Sequence, residues 1–297
     1  MVLNILLIAG LLVYMVNPGG DAEFTFKKDT RTEFNLGNNS VNMQFYENMR
    51  FPNKEISYHI DEDCSLKKKG SMRQAFDIIE NLTVLEFYPA LSPSEIEVTC
   101  KEERIMNEGL FIAGEGGPVN ITDGDKYSVI LAGSILLIKD SLCPRPNVAI
   151  HELLHVLGFN HSTNENNIMY PISKCKQVIG EDMLLRIDEL YEEESYADLL
   201  FEDAKAQING RNLDLNLSIR NSGLKDSEDT TIKVYSGETV IKEMDLSSLE
   251  IGYGVKIELK NLWLKKIKNE KLRVYIESDF NELSKDNNEI ILNKVSN

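Results

Sequence analysis

Hydrophobic positions along the chain change their period three times, and each change marks a different kind of structure. Residues 2–16, VLNILLIAGLLVYMV, are apolar with one polar side chain (Asn4) and no charge, and NPGG ends the run. A helix needs roughly 20 such residues to cross a bilayer. Residues 1–20 therefore suit a signal peptide or a short membrane anchor, with a buried N-terminal element as the other reading. Residues 21–50 are polar and weakly periodic and read as a linker. Between residues 51 and 195 helical and strand patterns alternate. EISYHID reads as a strand, and GSMRQAFDIIENLTVLEF as a helix with Met72, Ala75, Phe76, Ile79 and Leu82 on one face. EIEVTC is a second strand, and residues 127–138 hold one or two more. There GSILLIKD suits an interior strand and an exposed edge equally. PNVAIHELLHVL is a helix stopped by Gly158, and EDMLLRIDELYEEES aligns Met183, Leu184, Ile187, Leu190 and Tyr191 on one stripe. This mixture predicts an α+β domain.

From residue 196 to 297 the texture is different. NLDLNLSIRNSG, TTIKVYSG, ETVIKEMDL, GVKIELKNL and KLRVYIES are short alternating runs separated by turn residues, which predicts an all-β, immunoglobulin-like sandwich. Its single tryptophan, Trp263, is expected in the core. The net charge of −16 disfavours nucleic acid and anionic lipid as partners, because both need a basic face. Four cysteines occur without a CxxC pair, and chain order favours Cys64–Cys100 and Cys143–Cys175. Such bridges persist in an oxidising compartment, so the chain is expected outside the cytoplasm, secreted or held by its N-terminus. Buried thiols in a cytosolic protein are the alternative, and Lys27, Lys28 and Arg31 after the apolar run favour it through the positive-inside rule.

Three of the four histidines fall within HELLHVLGFNH, residues 151–161. On a helix His151 and His155 lie one turn apart on one face and can hold the same ion. Gly158 can adopt the left-handed conformation that ends a helix, which would return His161 as a third ligand. Three neutral imidazoles leave a Zn²⁺ ion its full charge and an open position, as catalytic zinc requires. Glu152, beside the first ligand, is placed to act as general base on a water activated there.

Glycine and the third histidine make this spacing specific, and Met169 in NIMYP follows His161 by eight residues. The segment resembles the metzincins, in which such a methionine lies on a turn beneath the zinc. Within them it is most similar to the matrixins, since Ser162 follows the third histidine and Met169-Tyr170-Pro171 fits their pattern. The strands and helices of residues 51–195 follow the order of a matrixin catalytic domain. The tail, with SIRNSG and SDFNELSKDNNEI, is similar to CARDB-type adhesion sandwiches. The resemblance implies an endopeptidase acting on protein or peptide substrates, with Tyr170, Pro171, Ile172 and Ser173 walling the pocket beyond the cleaved bond. A zinc-bound but weakly active adhesion protein, binding a surface or protein partner through its sandwich, is the alternative. No PRCGxPD latency segment occurs, and His59 alone cannot make a second three-histidine zinc site. Ca²⁺ stays open: Thr122–Asp125 (TDGD) suits a plain hairpin turn better than a ligand loop. Oligomeric state is not readable.

Overall fold

The structure is a computed structural model and describes residues 43–102, 106–107, 110–139, 143–264 and 271–292. The expected signal or anchor segment, residues 1–20, lies outside them. Among the described residues no helix is long and apolar enough to cross a membrane.

The first domain is a five-stranded sheet in the order β2-β1-β3-β7-β6. Its strands are β1 (Glu55–Ile60), β2 (Glu86–Pro89), β3 (Ile96–Cys100), β6 (Gly114–Asp123) and β7 (Ser128–Leu137). β1 runs parallel to β2 and β3, β3 runs parallel to β7, and β6 closes the sheet as an antiparallel edge. Between β3 and β6 lies a small hairpin of β4 (Met106–Asn107) and β5 (Leu110–Phe111). GSILLIKD therefore supplies an interior strand, and the edge is the preceding segment GEGGPVNITD.

Helix α1 (Leu66–Leu82) opens where the Ser65 hydroxyl caps the Lys68 N–H, and it buries Met72, Ala75, Phe76 and Ile79. It stops before the β-branched pair Thr83–Val84, and Glu86–Phe87 of the expected helix belong to β2. Leu82, at its end, is exposed. Helix α2 (Asn147–Val156) is buried along its whole length and packs on α1, β6 and β7. Helix α3 (Glu181–Leu190) buries Met183, Ile187 and Leu190.

Residues 43–50, read as the end of a linker, are part of this domain. Met43 and Met49 enter its core, and Gln44 takes up Met49 backbone groups at 2.6 and 3.2 Å. Arg50 is buried against the Tyr191 ring at 4.2 Å and donates to the carbonyls of Phe51, Pro52, Leu190 and Glu193. One arginine thus ties the start of the domain to its end. Glu193 also accepts from Lys126 and Tyr127. Both expected bridges, Cys64–Cys100 and Cys143–Cys175, are present.

The second domain is a β-sandwich. One sheet is β11-β10-β13-β14 and the other is β12-β9-β8. The ranges are β8 Leu199–Asn209, β9 Asn212–Asn221, β10 Thr230–Ser236, β11 Thr239–Leu246, β12 Gly254–Trp263, β13 Leu272–Glu277 and β14 Glu289–Leu292. Leu213, Leu215, Leu217 and Ile219 on β9 face Ile232, Val234, Val274 and Ile276 in a core of its own. Trp263 is not in that core. It is 61% exposed, with Arg211 5.6 Å from its ring. The register of β12 against β9 shifts between Leu259 and Leu262, where Asn261 takes a positive φ of 57°. That bulge reverses the alternation and turns the indole outward.

The domains share packing. Leu224 of the sandwich lies within the first domain's core, with Ile251 and Leu283 against it, and Arg220 donates to the Asp123 carbonyl at 2.7 Å. Truncating Leu224 to alanine is expected to cost about 2–5 kcal/mol. Because its neighbours belong to the other domain, calorimetry should show the first domain melting earlier. A shift confined to a separate sandwich transition would contradict this coupling.

Candidate metal centre

Helix α2 carries His151 and His155 one turn apart, as the spacing predicts. It ends in a paired cap: Gly158 N–H donates to the His155 carbonyl at 2.9 Å and Phe159 N–H to the Leu154 carbonyl at 3.0 Å. That pattern is the Schellman motif, which needs a left-handed residue, and Gly158 has φ +93°. A Cβ there would also lie 2.8 Å from Met49 Cγ and Sδ. The reversal brings His161 back to the helix, as anticipated.

The three Nε2 atoms converge, with separations of 3.0 Å (His151–His155), 3.1 Å (His155–His161) and 3.3 Å (His151–His161). The far sides of two rings are fixed by carbonyls: His151 Nδ1 is 2.7 Å from Ile168 O and His155 Nδ1 is 2.7 Å from Phe159 O. A carbonyl can only accept, so both Nδ1 atoms carry the proton and both Nε2 atoms present lone pairs. Two lone pairs at 3.0 Å repel unless a cation lies between them. Nitrogens at about 2.0–2.1 Å from a tetrahedral zinc stand about 3.3 Å apart, close to the spacing found. The donor set fits the metal.

Burial favours the neutral form of the His151 and His155 imidazoles, the form in which a histidine can be a ligand. It lowers His151 to about 4, with the His161 charge adding and the Ile168 carbonyl opposing, and it holds His155 well below the usual histidine range. His161 is the exposed member, so the group is open on one side. Phe45 stacks on the His155 ring at 5.7 Å and supports it from the segment before the domain's first strand.

Met169 is fully buried in a turn where Tyr170 N–H donates to the Asn167 carbonyl, and Asn167 Oδ1 accepts from Met169 N–H at 2.8 Å. The turn touches two of the histidine positions: Ile168 O holds the His151 ring, and Met169 O accepts from Ser162 N–H beside His161. Cys143–Cys175 and the bond from Asn147 Nδ2 to Lys174 O (2.7 Å) strap the start of α2 to the segment after that turn. Tyr170 is half-buried, and Pro171, Ile172 and Ser173 are exposed.

Glu152 is buried beside His151. Burial raises its carboxyl to about 8 in the metal-free protein, and the charge of Glu115 adds to the rise. A nearby dication would pull it down. Strand β6 crosses close over Glu152, and glycine makes this possible. A Cβ on Gly114 would lie 2.8 Å from Glu152 Oε1, and one on Gly116 would lie 2.4 Å from Glu152 O. Neither glycine, nor Phe45, nor Glu115 stands out in the sequence.

The matrixin family model matches residues 23–192 and the CARDB model matches residues 197–291. No curated protein matches the chain. Among solved structures it is similar to a domain of a protein from Methanosarcina acetivorans described as a cell surface protein, at 18% identity. That match covers 32% of this chain and 88% of the other, with a TM-score of 0.29. It is also similar to the CARDB domain of a Pyrococcus furiosus protein in complex with di-metal ions, at 17% identity. There the match covers 32% of this chain and 84% of the other, with a TM-score of 0.28. Both likenesses are too distant to bear on function. The model matches, the three-histidine group and the two-domain architecture agree: the chain belongs to the matrixin family of metallopeptidases and carries a C-terminal CARDB domain.

Proposed function

We propose that the protein is a zinc-dependent endopeptidase of extracytoplasmic proteins. One observation carries the reading: a buried carboxylate, Glu152, stands beside three convergent imidazoles and directly under an edge strand. His151, His155 and His161 would hold the ion, and Met169, in the turn shared by two of them, supports the group. Zinc bound there supplies Lewis-acid activation of water and polarisation of the scissile carbonyl.

Glu152 takes the proton from the attacking water and passes it to the leaving amide nitrogen, as a base of tuned pKa can. Among the described residues β6 is the edge of the sheet, so an extended substrate chain can add beside it as a further strand. Such binding needs no chain end and favours cleavage within a chain. Pro171, Ile172 and Ser173, with Tyr170, form the wall that the side chain after the cut bond meets. The two disulfides and the CARDB domain support an extracytoplasmic place, where the sandwich contacts a surface or protein partner.

The full chain, loaded with zinc, should cleave a peptide library at internal bonds, stop on chelation and recover with added zinc. Trimming from chain ends alone, or cleavage indifferent to the chelator, would refute the reading. Specific partner binding without any cleavage would favour the adhesion alternative.

A further inference from the structure

The wall assigned to the substrate pocket, Tyr170 to Ser173, hangs between two fixed ends. Before it stands the Met169 turn, in which the Ile168 carbonyl holds the His151 ring. After it, Lys174 O accepts from Asn147 Nδ2 at 2.7 Å and Cys175 is bonded to Cys143, so that end is tied to the start of α2. Between these ends the side chains of Pro171, Ile172 and Ser173 are exposed and cannot hold the segment by packing. Their three residues make one hydrogen bond among the described residues: Ile172 O accepts from Gln177 Nε2 at 3.0 Å.

Gln177 is buried, with 3% of its surface exposed, and its amide is fully engaged. Nε2 also donates to Glu165 O at 3.1 Å, and Oε1 accepts from Lys174 N–H at 2.7 Å. A reversed amide would set its oxygen against two carbonyls, so the surroundings fix this orientation. The backbone next to Gln177 is fixed as well. Val178 N–H donates to Asn166 O at 3.0 Å, and Ile168 N–H donates to Val178 O at 2.8 Å. Gln177 thus stands beside a backbone pairing with the Met169 turn, and its amide reaches from there to the middle of the wall.

We propose that Gln177 is a positioning residue for substrate selection: its amide holds the wall 170–173 at a fixed distance from the metal centre. The inference rests on the endopeptidase reading. A pocket discriminates between side chains of different size only where its wall does not yield, and the size of the discrimination is then about 10–200-fold for each methylene. Released from Gln177, the wall would move aside for a larger side chain and close on a smaller one. The substrate would then have to order the wall as it binds, a cost that falls on binding rather than on the chemical step.

The test uses the zinc-loaded full chain and a peptide series varied at the residue after the cut bond. Gln177→Met fills the same space without the three bonds, and Gln177→Glu keeps the acceptor but sets a carboxylate against two carbonyls. The native chain should separate neighbouring side-chain sizes by about 10-fold or more, and both variants by less. KM for the favoured peptide should rise about 2–10-fold while kcat changes less. Zinc content should stay that of the native chain. Hydrogen exchange at residues 172–174 should quicken in the variants, with α2 unchanged. In the native chain the Lys174 amide should be as protected as that of Ile168, although its own side chain is exposed; this measurement decides if neither variant folds.

A native chain that cleaves, with variants that keep its size preference, would overturn the role of Gln177 and leave the endopeptidase reading standing. Loss of zinc in Gln177→Met would overturn it too, by moving the amide's role to the metal centre. So would a native Lys174 amide that exchanges like an unbonded surface amide. A native chain that cleaves no peptide would overturn both readings together.

Discussion

Glu152→Gln is expected to retain zinc and to lose turnover by about 10²–10⁴-fold, the usual contribution of a positioned general base. Glutamine keeps the size of the side chain and its place under Gly114 but cannot take a proton. The same substitution has an opposite effect on stability. In the metal-free protein the folded carboxyl titrates at about 8, against an ordinary 4.5. Below the ordinary value it is neutral in both folded and unfolded states and costs nothing. As pH rises towards 8 the unfolded state ionises first, so folding stability is lost through that window. Metal-free Glu152→Gln should therefore melt above the native chain at pH 9 and level with it at pH 4. A variant that keeps full turnover would end the general-base role, and one that melts lower at pH 9 would contradict the buried charge.

His155→Ala is expected to lose zinc affinity by more than about 100-fold, the upper end for losing only a partner of a ligand, and to lose peptide cleavage with it. His155 sits at the centre of the group: its Nε2 is within 3.1 Å of both other nitrogens, its Nδ1 bonds Phe159 O, and Phe45 stacks on its ring. The two remaining histidines stand 3.3 Å apart and offer one edge of a coordination polyhedron. Metal analysis of the purified variant checks this. Undiminished zinc content would move the ion away from these residues.

The part of the site that follows from helical period is legible in the sequence. Positions four apart share a helix face, glycine at the stop permits the left-handed turn, and together they place His151, His155 and His161. The strands of the sandwich are legible because β9, β10 and β13 alternate strictly between a wet and a dry side. What the chain hides is local exception and long-range neighbourhood. GEGGPVNITD has no alternation because its glycines serve a close crossing over Glu152, so the edge strand does not read as a strand. β7 is apolar enough for either position in a sheet, and only its pairing with β3 and β6 settles it. Residues 43–50 look like linker because their buried methionines are interspersed with polar residues, of which Gln44 and Arg50 are satisfied by backbone. Trp263 is turned outward by one extra residue that no propensity announces.

The central claim is a metal ion held by three imidazoles, and X-ray absorption at the zinc edge tests it most directly. Full-length protein purified without added metal should contain about one zinc per chain, with three imidazole nitrogens at about 2.0–2.1 Å and one further light ligand. Sulfur in the first shell, or a spectrum unchanged when His151, His155 and His161 are all replaced by alanine, would contradict the account.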